Sequence, residues 1–137
     1  MKVFVDTSAY LALEIKNDKN HLLAKRHFNF LKKKRALFFT NDCVLVETYT
    51  RLIYDIHFQA AKKFHKYVSE LLSKAQLTLL EVDDKDRELA WIELERYSDH
   101  KLSFTDAAII ANFRAYKVDE IFTFDRHFKA CGLPTNL

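Results

Sequence analysis

At 137 residues the chain has the length of one compact domain, and 49% hydrophobic with 30% charged residues excludes intrinsic disorder. A single glycine, Gly132, and a single proline, Pro134, exclude P-loop, dinucleotide-fingerprint and kinase-type phosphate loops, which all need repeated glycines for close backbone approach. The formal net charge of +3 is unevenly spread: residues 1–80 hold 14 Lys/Arg against 7 Asp/Glu, and residues 81–137 hold 8 against 12. That asymmetry allows a basic face for phosphate and a separate acidic patch.

The elements alternate. Lys2–Val5 reads as a strand ending at Asp6-Thr7-Ser8, a helix start, and a short helix carries Tyr10, Leu11 and Leu13. Asp18 is the expected cap of a helix to about Lys34, with Leu22, Leu23, His27, Phe30 and Leu31 at helical spacing. Ala36–Thr40 is the second predicted strand, followed by a helix from Cys43 to Tyr54 capped by Asn41 or Asp42. A further helix spans about Phe58 to Lys74, and Leu77–Val82 is the third strand. Asp83, Asp84 and Asp86 crowd the first turn of a helix to Tyr97, where negative charge suits the positive helix end. Ser103 opens the next helix, Glu120–Phe124 is the fourth strand, and a short helix starts at Arg126. Strands separated by helices imply an α/β class with a parallel sheet covered on both faces, and no break divides residues 1–137 into more than one domain. No apolar run reaches membrane-span length and no basic-then-apolar leader precedes the first strand. The unpaired Cys43 and Cys131 suit a reducing, cytoplasmic location.

In an open parallel sheet, ligands bind at the carboxyl ends of the strands. Asp6 and Asp125 follow the first and fourth strands directly, Asp106 sits in the first turn before the fourth, and Glu47 lies two turns into the helix after the second. Each has a purely structural alternative. Asp6 and Asp125 are ordinary N-cap types, Ser103-Phe-Thr-Asp106 fits a capping box, and Glu47 with Arg51 has the spacing of a surface ion pair. Together, carboxylates converging on one edge would repel unless a cation lay between them. A hard divalent ion with oxygen ligands, Mg2+ or Mn2+, fits; no His-x-x-x-His pair suggests zinc, and no Gly-x-Ser-x-Gly elbow is present. Such a cage at a strand edge suits phosphodiester hydrolysis.

Val3-Phe-Val-Asp6-Thr-Ser8, Glu47, Leu102-Ser-Phe-Thr-Asp-Ala107 and Phe122-Thr-Phe-Asp-Arg-His-Phe128 follow the order and spacing of PIN-domain ribonucleases. The last two phrases and the small size resemble the VapC toxins of toxin–antitoxin pairs. The resemblance spans the whole chain and implies an α/β/α sandwich around a parallel sheet of four or five strands. It also implies Mg2+- or Mn2+-dependent cleavage of single-stranded RNA, for which in-line attack by a metal-activated water predicts 5′-phosphate and 3′-hydroxyl ends. Carried over residue by residue, Asp6, Glu47, Asp106 and Asp125 match the acidic, metal-binding and catalytic quartet, with Asp6 and Asp106 as the most direct ligands. Thr7, Ser103 and Thr105 match the supporting hydroxyls, while Asp99 reads as a solvated loop residue. For holding RNA, the basic candidates are Arg126 and Lys32-Lys33-Lys34-Arg35, with Lys62, Lys63 and Lys66 as a further stripe; a solvated charge run is the alternative. VapC-like proteins pair as homodimers and are silenced by an antitoxin protein, so apolar surface is expected on the helices between residues 18 and 74. A housekeeping PIN nuclease and a non-catalytic PIN binding module are the rival readings; the latter should have lost carboxylates, and all four acids are present.

Overall fold

A computed structural model describes residues 1–137. Four parallel strands, β1 (Lys2–Val5), β2 (Leu37–Asn41), β3 (Thr78–Leu80) and β4 (Glu120–Phe122), lie in the order β3-β2-β1-β4. A single isolated bridge joins Ile121 to Thr135 beside this four-stranded sheet. The first helices are α1 (Thr7–Glu14), α2 (His21–Lys33), α3 (Asp42–Arg51) and α4 (Phe58–Ser73); α5 (Asp84–Arg96), α6 (Phe104–Ala115) and α7 (His127–Ala130) follow. The crossovers from β1 to β2 and from β2 to β3 step one way across the sheet, and the crossover from β3 to β4 steps back. Right-handed connections therefore put α1–α4 on one face and α5–α6 on the other. The core is one cluster of 24 buried residues around Phe4, Phe64, Phe122 and Phe128, with a small cluster of Ala90, Ala107 and Ala108 where α5 meets α6.

With one glycine in the chain, most helices must turn without one. After α2, α4, α6 and α7 the chain closes by the same bond: the amides of Ala36, Gln76, Val118 and Leu133 donate to the carbonyls of Leu31, Leu71, Phe113 and Phe128. The left-handed residue between is Arg35, Ala75, Lys117 and Gly132 in turn, so three of the four carry a Cβ where it costs roughly 1 kcal/mol.

Several predicted boundaries shift. Asp18 does not cap α2; its Oδ1 accepts from the Asn20 amide at 2.7 Å, forming a turn that delays the helix to His21. The predicted helix to Tyr54 leaves α geometry after Arg51 and continues as a π-turn over Leu52–Ile56, anchored by buried Leu52 and stopped by extended His57. Strands three and four end at Leu80 and Phe122, earlier than their apolar patterns suggest, because Val82 and Thr123 donate to the side chains of Asp42 and Asn136 instead of to a strand.

Candidate active site

Strand β1 is flanked by β2 on one side and β4 on the other, so the crevice at the carboxyl ends of β1 and β4 is the topological switch point of the sheet. Asp6 leaves β1 at this point, and its amide donates to the Phe122 carbonyl at 3.1 Å. Its backbone holds the N-cap position of α1, but its side chain makes no cap hydrogen bond. Oδ2 instead accepts from the hydroxyls of Thr123 at 2.8 Å and Ser8 at 3.0 Å. Those hydroxyls in turn accept from the amides of Asp125 (2.9 Å, to Thr123) and Phe124 (2.8 Å, to Ser8). A two-hydroxyl bracket thus ties the end of β1 to the loop after β4 and fixes the Asp6 carboxylate.

Asp106 is the third residue of α6 and completes a reciprocal capping box. The Ser103 hydroxyl accepts from the Asp106 amide, and Asp106 Oδ2 accepts from the Ser103 amide, each at 3.0 Å. The box leaves the second Asp106 carboxylate oxygen without a hydrogen-bond partner. Asp125 Oδ1 accepts from the His127 amide at 2.9 Å, a turn that carries the His127 ring toward the acids. His127 Nδ1 lies 3.2 Å from Asp125 Oδ1 and 3.7 Å from Asp106 Oδ2. One ligand atom from each of Asp106, Asp125 and His127 lies within 4.8 Å of the others.

The electrostatics record burial first and crowding second. Burial, partly offset by the hydrogen bonds from Thr123 and Ser8, pushes Asp6 up to about 6, and the Asp106 charge adds to the rise. Asp106 is raised as well, by burial first and then by the Asp125 charge, against the opposing pull of its Ser103 hydrogen bonds and His127. The Cys131 thiol is raised by burial and by the charges of Asp106, Asp99 and Glu93, so the negative potential extends beyond the acids themselves.

The other predicted residues fall as follows. Asp6 and Glu47 both stand outside the close set of Asp106, Asp125 and His127. Glu47 is half-buried on α3; burial first, then the charges of Asp42 and Glu47, raise the Cys43 thiol, whose side chain packs against Ala90, Ala107 and Ala108. Its expected pairing with Arg51 does not form, because Arg51 Nε donates to Asp55 at 2.7 Å. Thr7 Oγ1 is buried beside Asp6 with no hydrogen-bond partner, and Thr105 is half-buried one residue before Asp106. Arg126 is exposed next to Asp125. Lys32–Arg35 are exposed but precede the amino end of β2, so the five-residue strand separates them from the acidic edge by roughly 16 Å. Lys62, Lys63 and Lys66 line a shallow depression along α4, and Asp99 lies exposed in a single turn over Ser98–His100. Ser8 and Thr123 are the site residues for which the sequence indicated no role, and His127 was legible only as a flank of Asp125. The one signal for Ser8 and Thr123 was their presence in the Val3–Ser8 and Phe122–Phe128 phrases.

The family model of the PIN domain matches residues 3–132. The chain belongs to the PIN-domain family. Among PIN proteins it is similar to VapC20 of Mycobacterium tuberculosis, named a 23S rRNA-specific endonuclease, with 28% identity over 130 residues covering 95% of this chain and 94% of that one. The crystal structure of that protein, described as a sarcin–ricin-loop-cleaving toxin, superposes with a TM-score of 0.79 over 96% of this chain and 95% of its own. VapBC2 of Rickettsia felis, solved with a promoter DNA fragment, shares the fold at 14% identity, with a TM-score of 0.71 over 99% of this chain and 98% of that one. The PIN fold accounts for the parallel sheet and its helices.

Proposed function

We propose that residues 1–137 act as one PIN domain, a divalent-cation-dependent endoribonuclease that serves as the toxin of a toxin–antitoxin pair in the cytoplasm. The observation that carries the reading is the close approach of Asp106 and Asp125 at the switch point, with Asp6 almost fully buried, raised to about 6 and near enough to feel the Asp106 charge. Carboxylates gathered in this way, beside an unpartnered buried hydroxyl on Thr7, are the donor set of a hard cation. Mg2+ or Mn2+ fits, with Asp6 and Asp106 as direct ligands and Asp125 and Glu47 reaching through water or a second ion.

When bound, the cation supplies charge neutralisation at the scissile phosphate and activation of the attacking water. The chain's own groups do the rest. Thr123 and Ser8 hold Asp6 Oδ2 and so fix the carboxylate in one orientation. The Ser103 amide holds Asp106 in the same way. Asp125 is held from both sides, by its amide on Thr123 and by the His127 amide on its carboxylate. Arg126, free beside Asp125, is placed to pair with a flanking phosphate. The expected products carry 5′-phosphate and 3′-hydroxyl ends.

The similarity to VapC20 makes 23S rRNA the first substrate to try. Apolar surface supports the partners. Val46, Ile53, Tyr54, Ile56 and Phe58 are exposed in sequence along α3, the π-turn and the start of α4, a stretch suited to a second copy of the chain. An apolar groove of about 520 Å3 between α1, α2, α4 and the sheet edge, floored by Leu13, Phe28, Phe38 and Leu71 with Lys32 and Arg35 at its rim, suits an antitoxin segment. No helix is long and apolar enough to cross a membrane. The test is incubation of purified protein with intact ribosomes, isolated 23S rRNA, transfer RNA and messenger RNA in Mg2+. A discrete 23S fragment with a 5′-phosphate end supports the reading; a 2′,3′-cyclic phosphate end, or no cleavage of any RNA, overturns it.

A further inference from the structure

Of the six histidines, four are engaged by hydrogen bonds. His21 meets the Ala12 carbonyl, His27 meets Glu120, His57 accepts from the Ala60 amide and His65 meets Tyr49. His100 approaches only Asp99, at 3.8 Å on an exposed turn. The His127 ring is different: its Nδ1 stands between two carboxylates of the acidic site without hydrogen-bond geometry to either. Its backbone amide anchors to Asp125 Oδ1, so the ring is delivered to that place by the turn itself.

The separations have the size of a coordination shell. Neighbouring donors around a six-coordinate ion at 2.0–2.1 Å stand about 3 Å apart, and around a four-coordinate ion a little further. Two separations have that size: Nδ1 lies 3.2 Å from Asp125 Oδ1 and 3.7 Å from Asp106 Oδ2. Carboxylate oxygens alone would favour Mg2+; an imidazole nitrogen among them favours first-row transition ions.

We propose that His127 is a direct metal ligand of this site, adding an imidazole nitrogen to its carboxylate oxygens so that it selects Mn2+ or another first-row transition ion over Mg2+. The inference rests on the cation-dependent reading above and deepens it. His127 is half exposed, so replacing it removes the nitrogen without opening the core.

The test is pulsed electron paramagnetic resonance of Mn2+ added to the metal-free protein at pH 8, read for coupling to 14N. The expected spectrum shows a directly bound nitrogen that changes to the 15N pattern when the protein is labelled with [15N]histidine. The coupling is lost in His127→Gln and kept in His100→Gln. In Mn2+ and Mg2+ titrations, His127→Gln lowers the Mn2+-over-Mg2+ preference by roughly tenfold or more. Mn2+ bound without histidine coupling overturns the assignment of His127 and leaves the acidic site standing. Absence of Mn2+ binding in wild type, together with an intact fold by circular dichroism, overturns both.

Discussion

Replacing Asp6 by Asn should stabilise the metal-free protein while abolishing its activity. The Asp6 side chain is 5% exposed, and its carboxyl is pushed by burial from the ordinary 3.8 to about 6. At 1.36 kcal/mol per pH unit, holding that group ionised at neutral pH costs the fold about 3 kcal/mol. The sign follows from the direction of the displacement. The folded state binds the proton more tightly than the unfolded state, so the Asp6 contribution is fully favourable below about 4 and is lost as pH rises through about 6. Asn is neutral throughout and can keep both hydroxyl bonds, because Ser8 and Thr123 donate to the same oxygen. In EDTA at pH 8, Asp6→Asn should therefore melt higher by roughly 10 °C, a chain of this length gaining about 3–4 °C per kcal/mol. At pH 4 the advantage should vanish. A divalent cation at a hundred times its dissociation constant should add about 2.7 kcal/mol to wild type and little to the variant, closing the gap at pH 8. Differential scanning calorimetry at the two pH values, with and without the cation, reads all of this. A variant less stable than wild type at pH 8, or equally advantaged at pH 4, would refute the buried-charge account.

Thr123→Val removes the donor to Asp6 Oδ2 and the acceptor of the Asp125 amide in one step. It should lower cleavage rate by about 10- to 100-fold and stability by about 1–3 kcal/mol, in single-turnover assays and urea unfolding. Glu93, buried between α5 and α6, accepts from Arg114 at 2.8 Å and Arg96 at 3.2 Å. Because both arginines are about half exposed, Glu93→Gln should cost roughly 2 kcal/mol, below the range for a fully buried pair, with Mn2+ affinity unchanged by titration. Arg126→Gln should weaken RNA binding and reduce its salt dependence by about one charge, whereas Lys33→Gln, at the far end of β2, should leave single-turnover cleavage unchanged; filter binding and cleavage across salt concentrations distinguish them.

The strand-then-acid pattern made Asp6 and Asp125 readable, because the carboxyl end of a parallel strand is where such a fold binds its ligand. The Ser103–Asp106 capping box was equally legible, being a contact between residues three apart. What could not be read was anything that depends on strand order. Ser8 and Thr123 meet 115 positions apart because β1 pairs with β4, a neighbour relation no local spacing encodes. The same limit hid the Glu93–Arg114 clamp and the distance between Lys32–Arg35 and the acidic edge. Glu47 shows the converse: its stripe on α3 was legible, but where the stripe points depends on how α3 packs against α6. Helix ends were obscured by the scarcity of glycine, since Arg35, Ala75 and Lys117 occupy left-handed positions that their side chains do not advertise.

The central claim is that Asp6, Asp106 and Asp125 make this PIN domain a cation-dependent ribonuclease. Its most direct test is cleavage of a total RNA pool by purified, antitoxin-free protein in Mg2+, Mn2+ or EDTA, with Asp6→Asn alongside. Discrete fragments that need the cation and are absent from the folded variant are the expected result. Equal cleavage in EDTA, or undiminished cleavage by Asp6→Asn, would contradict it.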